Sequence, residues 1–232
     1  MRRLLLCLVL LGAASAASAR TASPKVVELF TAQGCDTCAE ADGLVRELAG
    51  RSGILALTFP VDYWNYTGWR DTFAQPEFTA RQQAYRGRFR LRDVYTPEVV
   101  VDGRRETPAT DREKVELLVK AAKPGQASQG PKVRLSHHVT EVKIGGGAVP
   151  AGGAEVWLVR YDPRIQDVKI KTGDNRGKTV SQQNVVRELI KLGSWKGAAK
   201  RFKLAPPQTP GLKTVILVQA AHGGPILALA KS

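Results

Sequence analysis

Cysteine is nearly absent from this chain: 232 residues hold three. A scaffold stapled by many disulfides is therefore excluded. Histidine is equally scarce, with three residues. None stands at metal-ligand spacing from a cysteine, so no metal site is expected. His137 and His138 are neighbours in a strand-like run, where adjacent side chains point to opposite faces. Long apolar runs are missing too. The longest, Leu4 to Leu11, is too short to span a bilayer, so no membrane-spanning helix is expected. Acidic residues are outnumbered, 21 against 35 basic ones, for a net charge of +14. No Ser-His-Asp arrangement stands out. The apolar fraction, 43%, is that of an ordinary globular protein, which excludes a disordered chain.

The three cysteines fall in two places. Cys7 lies in a segment built like a leader: basic Met1-Arg2-Arg3, the apolar Leu4 to Leu11, and small residues at Ala17-Ser18-Ala19. Residues 1–19 are read as a cleaved signal peptide, and the mature chain as periplasmic or secreted. Cleavage leaves about 213 residues, with Cys35 and Cys38 alone in an oxidising compartment. The basic residues are spread along the chain, as on a solvated surface. Their densest cluster, Arg81 to Arg92, reads as one helix with a basic face. Nucleic acid is not the favoured partner, although such a surface admits contact with an anionic membrane.

Cys35 and Cys38 enclose Asp36-Thr37 at a strand–helix junction. Val26 to Phe30 has the composition of a buried strand, and Ala39 to Ala49 spaces Leu44, Val45 and Leu48 as a helix does. A thiol at the first turn of a helix faces unpaired N–H groups and the positive end of the dipole, which favour the thiolate. A second thiol one turn on is near enough for a short disulfide. Such a small loop removes little chain entropy, so stabilisation is a poor reason for the pair. Cys35 is expected to be the exposed nucleophile and Cys38 the buried resolving thiol. Asp36 sets a negative charge beside Cys35, so a strongly oxidising pair is not expected.

Residues 24–123 alternate between the two periodicities. Ile54 to Phe59 reads as a strand, Pro76 to Phe89 as a helix, Glu98 to Val101 as a strand closed by Asp102-Gly103, and Thr110 to Ala122 as a helix capped by Thr110 or Asp111. This is an α/β pattern. Residues 124–131 have the composition of a linker. In residues 132–232 the runs Val133 to Ile144, Ala154 to Tyr161, Val168 to Lys171, Lys200 to Leu204 and Leu212 to Gln219 read as antiparallel strands between Gly- and Pro-rich turns. Asn184 to Leu192 suits a strand or a short helix. Gly173 to Thr179 ends in Gly-Lys-Thr but lacks phosphate-loop spacing and reads as a turn.

The strand–Cys-x-x-Cys–helix unit, with Tyr95-Thr96-Pro97 leading into the Glu98 strand, resembles the thioredoxin-like superfamily. The resemblance implies a thioredoxin-like α/β domain with a helical insertion over 24–123, followed by a β-rich, antiparallel accessory domain. It makes Pro97 the candidate cis-proline beside the disulfide. Nearly the whole mature chain resembles a bacterial secreted family named domain of unknown function 1223. The matching runs are Val27 to Cys35, Val61-Asp62-Tyr63-Trp64, Tyr95-Thr96-Pro97 and Gly173 to Thr179. The superfamily often keeps an acid beneath the cysteines, and Glu28 is the candidate general base by that resemblance. On burial alone Glu28 could equally pair with Lys25 or an arginine.

The expected function is thiol–disulfide exchange without a dissociable cofactor. Cys35 attacks, Cys38 resolves, and Thr96 and Pro97 dock the partner. Tyr63, Trp64 and Trp69 follow the second strand and either wall the cleft or cover the inserted helix. The partner is a protein or small thiol bearing a disulfide, or a thiol protein that gives or takes electrons. The alternative is a non-catalytic binding module that handles copper through the two thiolates or contacts other proteins.

Overall fold

The computed structural model describes residues 23–123 and 130–232, so the expected signal peptide and most of the expected linker lie outside the described residues. Three helices and thirteen strands follow in the order β1 (Lys25–Thr31), α1 (Cys38–Ala49), β2 (Ile54–Pro60), α2 (Pro76–Phe89), β3 (Glu98–Val101), β4 (Arg105–Pro108), α3 (Arg112–Ala121), β5 (Val133–Leu135), β6 (Glu141–Ile144), β7 (Ala154–Asp162), β8 (Gln166–Lys169), β9 (Thr179–Gln182), β10 (Val185–Trp195), β11 (Lys200–Lys203), β12 (Lys213–Ala220) and β13 (Ile226–Lys231). Among the described residues no helix is long and apolar enough to cross a membrane.

The fold is mixed α/β around one eight-stranded sheet, ordered β13-β12-β7-β10-β2-β1-β3-β4. β1 and β2 are parallel, joined by α1 as crossover, and β3 returns antiparallel to β1. Positive φ at Asp102 and Gly103 closes the β3–β4 hairpin, and the Asp102 carboxylate accepts the Val26 N–H at 2.7 Å. α2 opens on Pro76, where a missing N–H costs nothing, and α3 opens on Asp111, whose side chain accepts from Lys114 N.

The change of character at residues 124–131 does not break the sheet. β10 lies parallel to β2, with Val185 opposite Thr58. The Thr58 N–H and hydroxyl donate to Asn184 O and Gln183 O, and the Asn184 amide donates to Ala56 O. Without β10 the backbone of β2 would be an unpaired edge over a buried core, which is costly. The expected accessory domain therefore shares its sheet with the first half. A three-stranded sheet, β11-β6-β5, packs on the β7–β12–β13 region through Val142, Ile144, Leu158 and Trp195.

Alternation in β1 sets the two layers. Val27 and Leu29 face α1 and α3, while Val26 and Phe30 face α2. On the α2 side Phe30 stacks on Phe59 at 5.4 Å, and Phe78 meets Phe59 edge-on at 5.6 Å. Of the two readings open for Asn184 to Leu192, the strand is the one found, beginning at Val185. Other expectations are corrected. β9 and β13 went unread, and Arg81 turns inward rather than joining the exposed basic face. His137 and His138 occupy a turn between β5 and β6, with rings 4.8 Å apart.

Candidate functional site

Cys35 and Cys38 form a disulfide with Cα atoms 5.4 Å apart. Cys38 is the first residue of α1, and Cys35 lies in the loop that leaves β1, its N–H bonded to Ala32 O. The expected contrast in exposure is overturned, since Cys35 is 2% exposed and Cys38 1%. Asp36 and Thr37 between them are exposed. The Thr37 hydroxyl stands 3.7 Å from the Cys35 sulfur, placed to donate to a thiolate there.

The walls of the box come from three segments. Gly34 is the inner wall: a Cβ there would stand 2.9 Å from the Thr67 hydroxyl and force it to turn away from Trp64 O. Trp64 lies against Gly34, and its indole N–H donates to the Thr96 hydroxyl at 2.6 Å. Thr96 precedes buried Pro97 across a cis bond, and Glu98 pairs with Phe30 across β1 and β3. That register sets Pro97 beside Thr31, at the end of β1 from which the Cys35 loop departs. Trp69 reaches the box through Gln33, whose Oε1 accepts the indole N–H at 2.9 Å. Tyr63 packs partly buried against the core, its hydroxyl unpaired, and burial raises its pKa. Tyr66, 82% exposed, stacks on Trp64.

Glu28 is directed away from this edge. It lies mid-strand, fully buried, and pairs with Arg81 of α2 through Nε at 2.7 Å and Nη2 at 3.1 Å. Tyr85 donates to the same carboxylate, and Gln219 of β12 donates to the Tyr85 oxygen. Burial opposes the Arg81 charge, but Glu28 and Tyr85 together with Glu155 outweigh it and keep the guanidinium protonated. The pairing with an arginine is thus the arrangement found.

Two other buried carboxyls were not singled out by sequence. Asp42 is on α1, one turn after Cys38 and on the same side of the helix. Its carboxyl is fully enclosed near the Thr31 hydroxyl and the Gln182 amide, yet none of these groups is in a hydrogen bond of ordinary geometry. Burial pushes its pKa up to about 8; Thr31 and Gln182 pull against burial, and the Asp71 charge adds to it. Glu98 accepts from the Gln82 amide at 2.7 Å with its other oxygen unpaired, and burial pushes it up to about 7.

Asn175 is the third omission. It stands within Gly173 to Thr179, read as a plain turn, yet it is buried and its amide donates to Gln33 O at 2.9 Å and Cys35 O at 3.0 Å. Gln33 is fixed in turn by its N–H to Asp71 Oδ2 at 2.7 Å. An Asn bracketed by glycines is the usual signature of a turn, and nothing local says that its amide is directed at a loop 140 residues away. Among the described residues no group of three or more His, Cys, Asp or Glu could hold a metal ion.

The fold and sequence have known counterparts. Protein AGR_C_4864 from Agrobacterium tumefaciens, solved by X-ray crystallography, is 28% identical over 92% of this chain and 95% of its own, with a TM-score of 0.69. HBP35 of Porphyromonas gingivalis is 11% identical over 91% of this chain and 75% of its own, with a TM-score of 0.56, a likeness of fold alone. No curated protein matches. Residues 26–219 match the family described as "Protein of unknown function (DUF1223)". That span runs from β1 into β12 and takes in Cys35, Cys38, Pro97 and Asn175, so the chain belongs to that family.

Proposed function

We propose that this protein is an exported thiol–disulfide oxidoreductase whose first half is arranged like thioredoxin. The observation that carries this reading is the Cys35–Cys38 disulfide at the β1–α1 junction, with a buried, unpaired carboxyl one helical turn beyond Cys38. A loop of this size does little for stability, and an unpaired acid beside it has no structural use. In the reductive direction a partner thiolate attacks the Cys35 sulfur and the Cys35–Cys38 bond breaks, leaving its electron pair on Cys38. Asp42, neutral at pH 7, gives its proton to the departing Cys38 thiolate. The partner's second thiol then attacks the mixed disulfide and releases the Cys35 thiolate, which Thr37 steadies by its hydroxyl. The partner leaves as a disulfide and the pair as the Cys38 thiol and the Cys35 thiolate; of the partner's two protons one goes to solvent and one restores the Asp42 carboxyl, and the reverse sequence oxidises a partner dithiol. Glu28 is already committed to Arg81, so the proton-carrying role passes to Asp42. Trp64, Thr96 and Pro97 form the docking edge.

The burial of both cysteines favours a second reading, a binding module with inert thiols. Equilibration in glutathione and dithiothreitol buffers, with thiol trapping, separates the two. An exchanging pair reaches a reproducible potential inside the range of known thiol–disulfide proteins. A pair that stays oxidised until the protein unfolds would establish the inert module.

A further inference from the structure

Cys35 and Cys38 are buried although the two residues they bracket are exposed, and the loop that carries them is bonded to the second half of the chain. β8 and β9 form a hairpin whose base is anchored by buried Ile170 and Val180, with β9 lying along α1. Its tip, residues 171–178, crosses to the cysteine loop. Thr172 donates to Gly68 O at 2.6 Å. Gly173 and Gly68, both at positive φ, pack backbone to backbone; a Cβ on Gly173 would stand 2.7 Å from Thr67 O. Asn175 is the innermost point, its amide on the carbonyls of Gln33 and Cys35 and its oxygen accepting from Lys178 Nζ at 2.8 Å. The bond from Gly177 N to Ile170 O holds the tip in shape.

We propose that residues 171–178 form a latch over the Cys35–Cys38 pair, with Asn175 as the positioning residue that holds it shut. The tip holds no large apolar side chain, and what ties it to the first half is a small set of polar and glycine contacts. A segment held this way opens at far less cost than the core around it. Its base is packed independently, so the tip lifts without unfolding the hairpin. Attack on Cys35 requires the partner sulfur to approach along the S–S axis, and a residue only 2% exposed leaves little room for that approach. Exchange therefore waits on the latch, and the C-terminal half controls when the site reacts.

This rests on the thiol–disulfide reading, but its test does not. The rate of disulfide reduction by dithiothreitol reads access, whereas the equilibrium potential reads function. The rate is measured at a series of urea concentrations below the unfolding transition, for the wild type and for Asn175→Ala, Asn175→Asp, Lys178→Ala and Thr172→Val. Loss of the Asn175 donors leaves the Gln33 carbonyl unpaired and the Cys35 carbonyl with only the long bond from Cys38 N at 3.5 Å in the closed state, so Asn175→Ala is expected to react about ten-fold faster or more. Asn175→Asp should be at least as fast, and Lys178→Ala and Thr172→Val faster by about two- to five-fold. The wild-type rate should depend only weakly on urea, because latch opening exposes little surface. A rate as steep in urea as global unfolding would overturn the proposal. So would variants that fold and react within two-fold of wild type. If Asn175→Ala fails to fold, the Lys178 and Thr172 variants and the wild-type urea dependence decide.

Discussion

Asp42 gives the sharpest test of the electrostatics. Its carboxyl is fully buried and its pKa stands at about 8, against 3.8 for the same group in water. Between those values the unfolded chain has lost the proton and the folded chain keeps it. The folded state thus binds more protons, and stability falls as pH rises across this window. At about 1.36 kcal/mol per pH unit the interval corresponds to about 6 kcal/mol, an upper figure because the side chain can turn toward water once charged. Asp42→Asn keeps the shape and removes the charge. Urea denaturation of oxidised wild type and variant at about pH 5, 7 and 9 gives the difference directly. Glu98 and Asp102 are also raised by burial, but they are common to both proteins and cancel. The two proteins should be close in stability near pH 4. By pH 9 the variant should be more stable by about 3–5 kcal/mol, with nearly all of the gap opening between pH 4 and 8. Parallel curves, or a variant less stable at pH 9, would refute the assignment of a buried neutral acid.

Two further outcomes follow from the same structure. Arg81→Met leaves the Glu28 carboxylate buried without its partner and should cost about 3–5 kcal/mol in urea unfolding, while adding Glu28→Leu should recover about half or more; simple additivity of the two losses would count against a coupled pair. Asp36→His, at an exposed position between the cysteines, replaces a repelling charge with one that favours the Cys35 thiolate, so the pair should become more oxidising in glutathione buffers; a shift to a more reducing potential would contradict the charge argument.

What sequence alone determined was local. Val26 to Phe30, Ile54 to Phe59, Pro76 to Phe89 and Glu98 to Val101 carry their periodicity and end signals within themselves, and they form β1, β2, α2 and β3 with shifts of at most a residue at each end. The cysteine box at a strand–helix junction was legible for the same reason: three residues of spacing and one change of period suffice. β9 and β13 were not legible, because Thr179–Gln182 and Ile226–Lys231 are short and become strands by pairing with β8 and β12. Tertiary structure alone decided the partners. Glu28 meets Arg81 across 53 positions, and Asn175 meets Cys35 across 140. Both are single polar side chains, with no repeat or spacing to signal their targets. The continuous sheet also escaped sequence, since the β2–β10 contact is one short parallel register reinforced by Thr58 and Asn184. The loop that carries Cys35 is likewise tied to the far half of the chain, through the Asn175 amide. A residue's neighbours in sequence set its backbone, but its exposure is set by whatever the fold brings over it.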